Sequence, residues 1–136
     1  MIPSANKKIL SSYKTIAVVG LSKNPGKDSH KVSSYMQTAG YRIIPVNPTS
    51  DEILGEKVYK NLGEIPEPVD VVNIFRPSAE VGAIVDAAVA INAKAVWMQL
   101  GIFDEEAAKR AAEAGLDVVS DWCIMTEHMR LKQWTE

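Results

Sequence analysis

Residues 20–27, GLSKNPGK, combine residue types that can hold a phosphate group, and they directly follow the apolar run TIAVV. A glycine turn after a buried strand leaves backbone N–H groups and the start of the next helix facing an anion. Ser22 adds a hydroxyl group, and Lys23 and Lys27 add positive charge. The segment therefore predicts a phosphate-binding loop; the alternative is a solvated loop whose lysines bind nothing.

Arg76, in the segment IFRPS, offers a second group for the same chemistry. A guanidinium group pairs well with a phosphate, and the ring of Phe75 can stack on a base or line an apolar slot. An exposed loop arginine without a ligand is the competing interpretation, and the sequence alone leaves both open.

The segment VWMQLGI places Met98, Gln99 and Leu100 ahead of Gly101, which permits a sharp turn. Leu100 and Ile102 are apolar at a position where a loop is usually polar. That suits a ligand with an apolar arm, and simple closure of the core is the alternative explanation.

These segments end apolar runs that predict the strands of a parallel sheet. The runs are rich in Val and Ile and mostly lack polar alternation, as is typical of strands buried on both faces. They cover residues 15–20, 41–46, 69–75, 94–100 and 116–120. Helical patterns lie between them. We therefore predict an α/β fold, a Rossmann-like, doubly wound sheet of about five parallel strands in three α/β/α layers. The length of 136 residues predicts one domain, residues 1–136.

The connecting segments carry recognisable helix ends. Ser78 is expected to N-cap one of the intervening helices. The next helix is expected to start at Asp104 and to end at Gly115. A last helix is predicted over residues 123–131. Residues 47–68 are rich in Pro and Gly and are expected to hold only short helical turns.

The loops after the strands are expected to share one edge of the sheet. In sheets of this class, ligands bind outside the carboxyl ends of the strands, near the point where strand order reverses. The loops at those ends begin at Gly20, Val46, Phe75, Gln99 and Ser120.

NAD is the default ligand of this fold, and the sequence disfavours it. The second and third glycines of the dinucleotide fingerprint are missing after Gly20. The second strand should end near an Asp or Glu that binds a ribose diol, and here Asn47 stands between Val46 and Pro48. No Arg that would suit NADP lies at that position.

Signals for catalysis are poor. His30 and His128 belong to no metal-binding motif. Cys123 and His128 suggest a nucleophile and a base, but a spacing of five leaves them on different faces of a helix. A buried structural cysteine is the more common role. The position of Cys123 at the ligand edge leaves open a mixed disulfide with a thiol-bearing ligand.

The bulk composition excludes several classes of partner. A net charge of −2, from 15 basic and 17 acidic residues, gives no overall field for nucleic acid or an acidic membrane. One cysteine excludes an internal disulfide and a multi-thiolate zinc site. No apolar run reaches the length of a membrane span, and the start of the chain is a poor signal peptide. We expect a cytoplasmic protein.

An ordered set of segments resembles the small CoA-binding protein family over roughly residues 8–132. These proteins are stand-alone relatives of the N-terminal CoA-binding domain of the succinyl-CoA synthetase alpha subunit. The segments that carry the resemblance are VVGLSKNPGKDSHKV, GYRIIPVNPTSDEILGEKVY, VDVVNIFRPSAEV, AVWMQLGI, and AGLDVV followed by DWCIMTEH.

The resemblance implies a Rossmann-like domain that binds coenzyme A, or an acyl-CoA, at the carboxyl edge of the sheet. The positions that match the family's contact loops are Gly20, Ser22, Lys23, Asn24 and Pro25 for the phosphates, Val46, Asn47 and Pro48 for the adenosine, Phe75, Arg76 and Pro77 in a third loop, and Met98, Gln99, Leu100 and Gly101 beside the pantetheine arm.

Differences from the synthetase limit which of its properties can be inferred for this sequence. Its CoA-contacting lysine after the second strand is not matched, because Thr49, Ser50 and Asp51 follow Pro48. Its phosphohistidine domain and its ATP-grasp partner have no counterpart in these residues. The expectation is therefore a CoA-binding carrier, sensor or regulatory module without catalysis of its own. A component of an acyl-CoA ligase, an NAD(P)-linked oxidoreductase, a homodimer and an unknown protein partner remain as alternatives.

Overall fold

The computed structural model describes residues 2–135, and these contain a five-stranded, fully parallel sheet. Its strands, in spatial order, are β2 (Arg42–Val46), β1 (Thr15–Val19), β5 (Val71–Ile74), β6 (Ala95–Met98) and β7 (Asp117–Val119). A separate antiparallel hairpin is formed by β3 (Glu52–Ile53) and β4 (Glu56–Lys57). The predicted α/β class is confirmed.

Helices cover both faces of this sheet. The helices are α1 (Ser4–Ser12), α2 (Asp28–Thr38), α3 (Ser78–Ala90), α4 (Glu105–Glu113) and α5 (Ile124–Thr135). Apolar residues of α1, α2 and α5 pack on one face, and those of α3 and α4 pack on the other. No helix within residues 2–135 is long and apolar enough to cross a membrane.

The strands are largely buried on both faces, which explains why their sequences are mostly apolar; Asn73 in β5 is a buried exception. Val18 and Trp97 pack toward α1, α2 and α5, whereas Ala17, Val72 and Val96 pack toward α3 and α4. Every residue of β5 and β6 is buried. Such strands cannot alternate with polar residues, since neither face meets water.

The strand order creates a crevice between β1 and β5. After β1 the chain crosses through α2 to β2, and after β5 it crosses through α3 on the opposite face to β6. The loops that leave these two neighbouring strands therefore diverge at their carboxyl ends. In doubly wound sheets this divergence forms the ligand crevice.

Three local predictions differ from the structure. Helix α1 was not expected, and residues 47–68 contain the β3–β4 hairpin as well as a 3₁₀ turn at Leu62–Glu64. The prediction that Ser78 is an N-cap is wrong. Pro77, in extended backbone, precedes the helix, and the Ser78 hydroxyl accepts a hydrogen bond from the Phe103 amide instead. The predicted helix start at Asp104 is confirmed: Asp104 is the N-cap residue of α4, and its carboxylate accepts from the Ala107 amide at 3.0 Å.

Candidate functional site

Gly20 lies where the loops that follow β1, β2 and β5 meet. Its φ is +90°, and a Cβ atom at this position would lie 2.6 Å from the Phe75 carbonyl oxygen and 2.8 Å from Arg76 Cδ. Its amide donates to the Val46 carbonyl at 3.0 Å. A residue without a side chain is therefore required for these loops to approach so closely.

A cleft of about 420 Å³ opens beside Gly20, where the three loops meet. We call it the Arg76 cleft. Its basic side chains are Arg76 and Lys60, and Glu80 supplies a carboxylate. Its complete lining is Val19, Gly20, Ser22, Val46, Asn47, Pro48, Thr49, Lys60, Arg76, Glu80 and Ile84. The cleft thus combines positive charge with an apolar wall, which suits a nucleotide.

The Arg76 guanidinium is held by the carboxylate of Glu80. Arg76 Nε lies 3.1 Å from Glu80 Oε1, and Nη2 lies 2.7 Å from Oε2. This hydrogen-bonded pair raises the pKa of Arg76 above its usual range and lowers the pKa of Glu80. Within the described residues Arg76 Nη1 has no partner, so one edge of the guanidinium remains available to an anion. Glu80 was not anticipated from the sequence.

Lys60 reaches the Arg76 cleft because the segment after the hairpin pairs with the end of β2. The Tyr59 amide donates to the Pro45 carbonyl at 3.0 Å, and the Tyr59 carbonyl accepts from the Asn47 amide at 2.9 Å. This pairing places the residue after Tyr59 at the cleft. Sequence reasoning missed Lys60, since only the register of this short pairing brings it to the site.

Asn47 ties two loops together through its side-chain amide. Its Nδ2 donates to the Leu21 carbonyl at 3.0 Å, and its Oδ1 accepts from the amide and the hydroxyl of Thr49 at 2.8 and 2.9 Å. These bonds hold the second-strand loop against the first. Asn47 lines the Arg76 cleft, but its polar atoms already have protein partners.

The GLSKNPGK loop is closed by hydrogen bonds of its own. The Ser22 amide donates to Ser29 Oγ at 3.0 Å, and the Asn24 amide donates to Ser22 Oγ at 3.1 Å. Within residues 2–135 the Lys23 amide has no hydrogen-bond partner. The structure therefore leaves one of these backbone N–H groups available to an anion.

The remaining residues of that loop lie outside the clefts. Lys23 through Lys27 are exposed, and Lys27 is the N-cap residue of α2. The lining of the Arg76 cleft includes none of Lys23, Asn24, Pro25 and Lys27. Their positive charges lie along the exposed loop that follows Ser22.

A second cleft, of about 360 Å³, lies at the carboxyl ends of β5 and β6; we call it the Cys123 cleft. The predicted residues Phe75, Gln99 and Leu100 line it, together with Cys123. The other lining residues are Asp28, Lys31, Val32, Ile102, Met125 and Thr126. Because Phe75 lines this cleft and Arg76 lines the other, the loop after β5 separates a charged cleft from a more apolar one.

Three residues predicted for the site support it rather than line it. Met98 is fully buried in the core beneath α3 and α4. Gly101 has a φ of +82°, and its amide donates to Asp121 Oδ1. Pro77 is the N-cap residue of α3. None of the three lines either cleft within the described residues.

The residues with nucleophile and base chemistry lie apart. Cys123 is half-buried in its cleft, whereas His128 lines a different cleft, of about 450 Å³, next to Tyr35. The Tyr35 hydroxyl lies 2.8 Å from His128 Nδ1. Burial lowers the pKa of His128, and Lys132 and Lys14 lower it further. Residues 2–135 contain no group of His, Cys, Asp and Glu that could hold a metal ion.

Comparison with known proteins identifies the family. The family model described as the CoA binding domain matches residues 14–129. The chain belongs to the CoA-binding domain family. The chain is 47% identical over 122 residues to the uncharacterized Bacillus subtilis protein YneT, covering 90% of each chain.

The chain is also similar to part of larger enzymes. It is 30% identical over 79 residues to an ADP-forming acetate–CoA ligase from Methanocaldococcus jannaschii, in a match that covers 58% of this chain and 11% of the ligase. The chain thus aligns with about a tenth of that relative's length.

Solved structures share the fold. A hypothetical protein from Pyrococcus horikoshii superimposes with a TM-score of 0.90 at 40% identity, covering 93% of this chain and 89% of the other. The dinucleotide-forming acetyl-coenzyme A synthetase 1 from Ca. Korarchaeum cryptofilum gives 0.74 at 30% identity, covering 82% of this chain and 26% of that one.

Proposed function

We propose that this protein binds coenzyme A or an acyl-CoA at the carboxyl edge of its sheet, without catalysis of its own. The observation that carries the proposal is a pair of neighbouring clefts of unlike chemistry at the strand-order reversal of a CoA-binding domain. Coenzyme A has the same division, with charged phosphates at the nucleotide end and a long, weakly polar pantetheine arm.

The Arg76 cleft is the proposed nucleotide end. Arg76 offers its unpaired Nη1 edge, and Lys60 supplies a second positive charge in the same cleft. Val46 and Pro48 give the apolar wall for adenosine. Lys23 and Lys27 would attract phosphates from the rim rather than enclose them.

The Cys123 cleft is the proposed pantetheine end. Phe75 and Leu100 supply apolar surface for the arm, and Gln99 supplies a polar group within it. The absence of catalysis is proposed because the thiol of Cys123 and the imidazole of His128 open into different clefts. A thiol and an imidazole that do not meet cannot work as a nucleophile–base pair.

Isothermal titration of ligand-free protein with CoA and acetyl-CoA tests the proposal. Arg76→Ala should weaken binding about tenfold or more, since a charge-assisted hydrogen bond contributes roughly 1.5–3 kcal/mol. Glu80→Gln is the matched control, because it keeps the guanidinium and removes the carboxylate that opposes an anion. We expect Glu80→Gln to bind CoA at least as tightly as the parent protein.

Absence of binding heat with both ligands would overturn the proposal. A loss in Glu80→Gln equal to that in Arg76→Ala would mean that the ion pair only supports the loop. NAD(H) serves as the competitor in a thermal-shift comparison: greater stabilisation by NAD(H) than by CoA would favour the oxidoreductase alternative.

A component of an acyl-CoA ligase is the second candidate, supported by the similarity to ADP-forming acetate–CoA ligases. This version requires an ATP-grasp domain or subunit in addition to these residues. Affinity purification of the tagged protein from its native cells should then recover such a subunit in stoichiometric amount. Recovery of the chain without it favours the binding module.

A further inference from the structure

Cys123 is the chain's one cysteine, and the proposed binding function does not use it. It directly precedes α5 and is half-buried in the Cys123 cleft. Two contacts fix this part of the backbone to the end of β6. The Trp97 indole N–H donates to the Trp122 carbonyl at 2.8 Å, and the Ile124 amide donates to Gln99 Oε1 at 3.0 Å.

Gln99 provides a second observation, independent of the thiol: a hydrogen-bond donor at this cleft that has no protein partner. Its side chain is buried, with 4% exposure, and Oε1 is engaged by the Ile124 amide. That bond fixes the plane of the amide group and leaves Nε2 for the cleft. Within residues 2–135, Nε2 has no hydrogen-bond partner. Because Gln99 lines the Cys123 cleft, this amide N–H group can donate to an acceptor that enters the cleft.

A thiol whose chain also carries amide carbonyls matches this arrangement. Gln99 Nε2 can donate to such a carbonyl, while the apolar surfaces of Phe75 and Leu100 cover the carbon chain. Leu100 is 70% exposed, which leaves room for the chain to enter from solvent. The arm would then place its sulfur in the same cleft as the Cys123 thiol.

We propose that Cys123 is a redox modification site, at which the protein forms a mixed disulfide with the thiol of bound coenzyme A. The inference rests on the proposed CoA-binding function. The co-reactant is the symmetrical disulfide of CoA, one half of which occupies the two clefts.

The reaction is a thiol–disulfide exchange. The Cys123 thiolate attacks the sulfur of the bound half and forms the Cys123–S–S–CoA bond. The sulfur–sulfur bond of CoA disulfide breaks, and the other half leaves as a thiolate that takes a proton from solvent. Cys123 is oxidised and the leaving sulfur is reduced, so electrons balance. An excess of small thiol reverses the reaction. The adduct retains the nucleotide and blocks the sulfur from carrying an acyl group.

Faster reaction with CoA disulfide than with a small disulfide distinguishes a cysteine in a specific CoA site from one that is only accessible to solvent. Binding of the nucleotide half makes the attack effectively intramolecular, which raises the local concentration of disulfide at Cys123. A small neutral disulfide without a nucleotide, such as 2-hydroxyethyl disulfide, lacks this advantage and reports only the accessibility of the thiol.

The experiment follows labelling of reduced, ligand-free protein by intact mass spectrometry, with each disulfide at the same concentration. We expect CoA disulfide to react at least about tenfold faster than 2-hydroxyethyl disulfide, because nucleotide binding raises the effective concentration. The product should contain one CoA per chain and should return to the parent mass with dithiothreitol. Cys123→Ser should form no adduct with either disulfide.

Two variants test the geometry. Gln99→Glu keeps an oxygen for the Ile124 amide but removes the Nε2 donor, so it should slow labelling by CoA disulfide and leave labelling by 2-hydroxyethyl disulfide unchanged. Arg76→Ala should do the same through the nucleotide end. If either variant slows both reagents equally, it acts through the fold and contradicts the assigned ligand contacts.

The outcomes separate this inference from the function on which it rests. If calorimetry shows CoA binding and the two disulfides react at equal rates, or CoA disulfide gives no adduct, the inference is overturned and the binding function stands. If CoA does not bind at all, the proposed function fails and the inference fails with it.

Discussion

Close packing of the backbone, rather than a phosphate-binding motif, requires glycine at position 20. The Cβ of any other residue would meet the Phe75 carbonyl oxygen, which belongs to the backbone that continues β5. Gly40 and Gly115 also have positive φ values, but open space surrounds the position of their Cβ atoms. Gly20 is therefore needed so that the loops after β1 and β5 can approach each other between the two clefts.

We expect Gly20→Ala to destabilise the protein by about 2 kcal/mol or more, since left-handed strain adds to a backbone clash. Urea denaturation measures this loss, and CoA affinity should fall with it because both clefts border these loops. Gly26→Ala is the matched control in the same loop. Its Cβ would meet only the flexible side-chain oxygen of Asn24, at 3.3 Å. Equal losses in the two variants would contradict the argument.

Site residues could be predicted from the sequence where they directly follow a recognisable strand. Those that reach the site through tertiary pairing could not. Gly20 and Arg76 could be assigned to the edge because each directly follows an apolar run. Lys60 could not, since it reaches the cleft through pairing of Tyr59 with β2. Asn47 was readable as an edge residue, but its bonds to Leu21 and Thr49 follow only from the folded loops.

At the scale of elements, strong patterns were predictable and weak ones were not. The long Val- and Ile-rich runs gave all strands of the main sheet. Helix α1 offers little signal, because it has no side-chain N-cap bond and buries only Asn6, Ile9 and Leu10. The β3–β4 hairpin has strands of 2 residues each and turns at Leu54, whose φ is 55°. No periodicity can be read from so short a pattern.

The starts of α3 and α4 give a direct test of how helices begin in this protein. Asp104→Ala should destabilise the protein by about 1 kcal/mol, because the carboxylate that accepts the Ala107 amide is lost. Ser78→Ala should cost less than half as much, since the Ser78 hydroxyl does not cap α3 and the bond that it accepts from the Phe103 amide is exposed to solvent. Urea denaturation of both variants provides the comparison.

Asp104→Asn controls for charge, since asparagine caps a helix about as well as aspartate. It should retain most of the stability that Asp104→Ala loses. A larger loss in Ser78→Ala than in Asp104→Ala would reverse the assignment of the two helix starts.

At the scale of the whole molecule, the strand order brings distant segments to one edge. The Arg76 cleft takes residues from the loops after β1, β2, β4 and β5, and the Cys123 cleft takes residues from α2, the loops after β5 and β6, and the start of α5. The chain order predicted parallel strands, but not that β1 would lie between β2 and β5. That order decides which loops meet.

Helix α5 joins this edge to a polar cluster on the same side of the sheet. Cys123 precedes its first turn, and one turn later His128 lies between the rings of Tyr35 and Tyr41, with centroid distances of 5.5 and 5.6 Å. Lys14 and Lys132 add positive charge near the imidazole. Burial and these charges both favour the neutral form of His128.

The stability of the whole molecule should therefore depend on pH near neutrality. The pKa of His128 in the folded protein is lowered from its ordinary value of 6.5. As pH falls, the imidazole of the unfolded chain takes up a proton before that of the folded protein does. The free energy of unfolding is therefore not reduced by His128 above about pH 7, and it decreases as pH drops through about 6.5 toward the pKa of the folded protein. Urea denaturation at pH 7.5 and pH 5.5 should show lower stability at pH 5.5. His128→Gln should remove part of that decrease; an unchanged decrease in this variant would assign it to other groups.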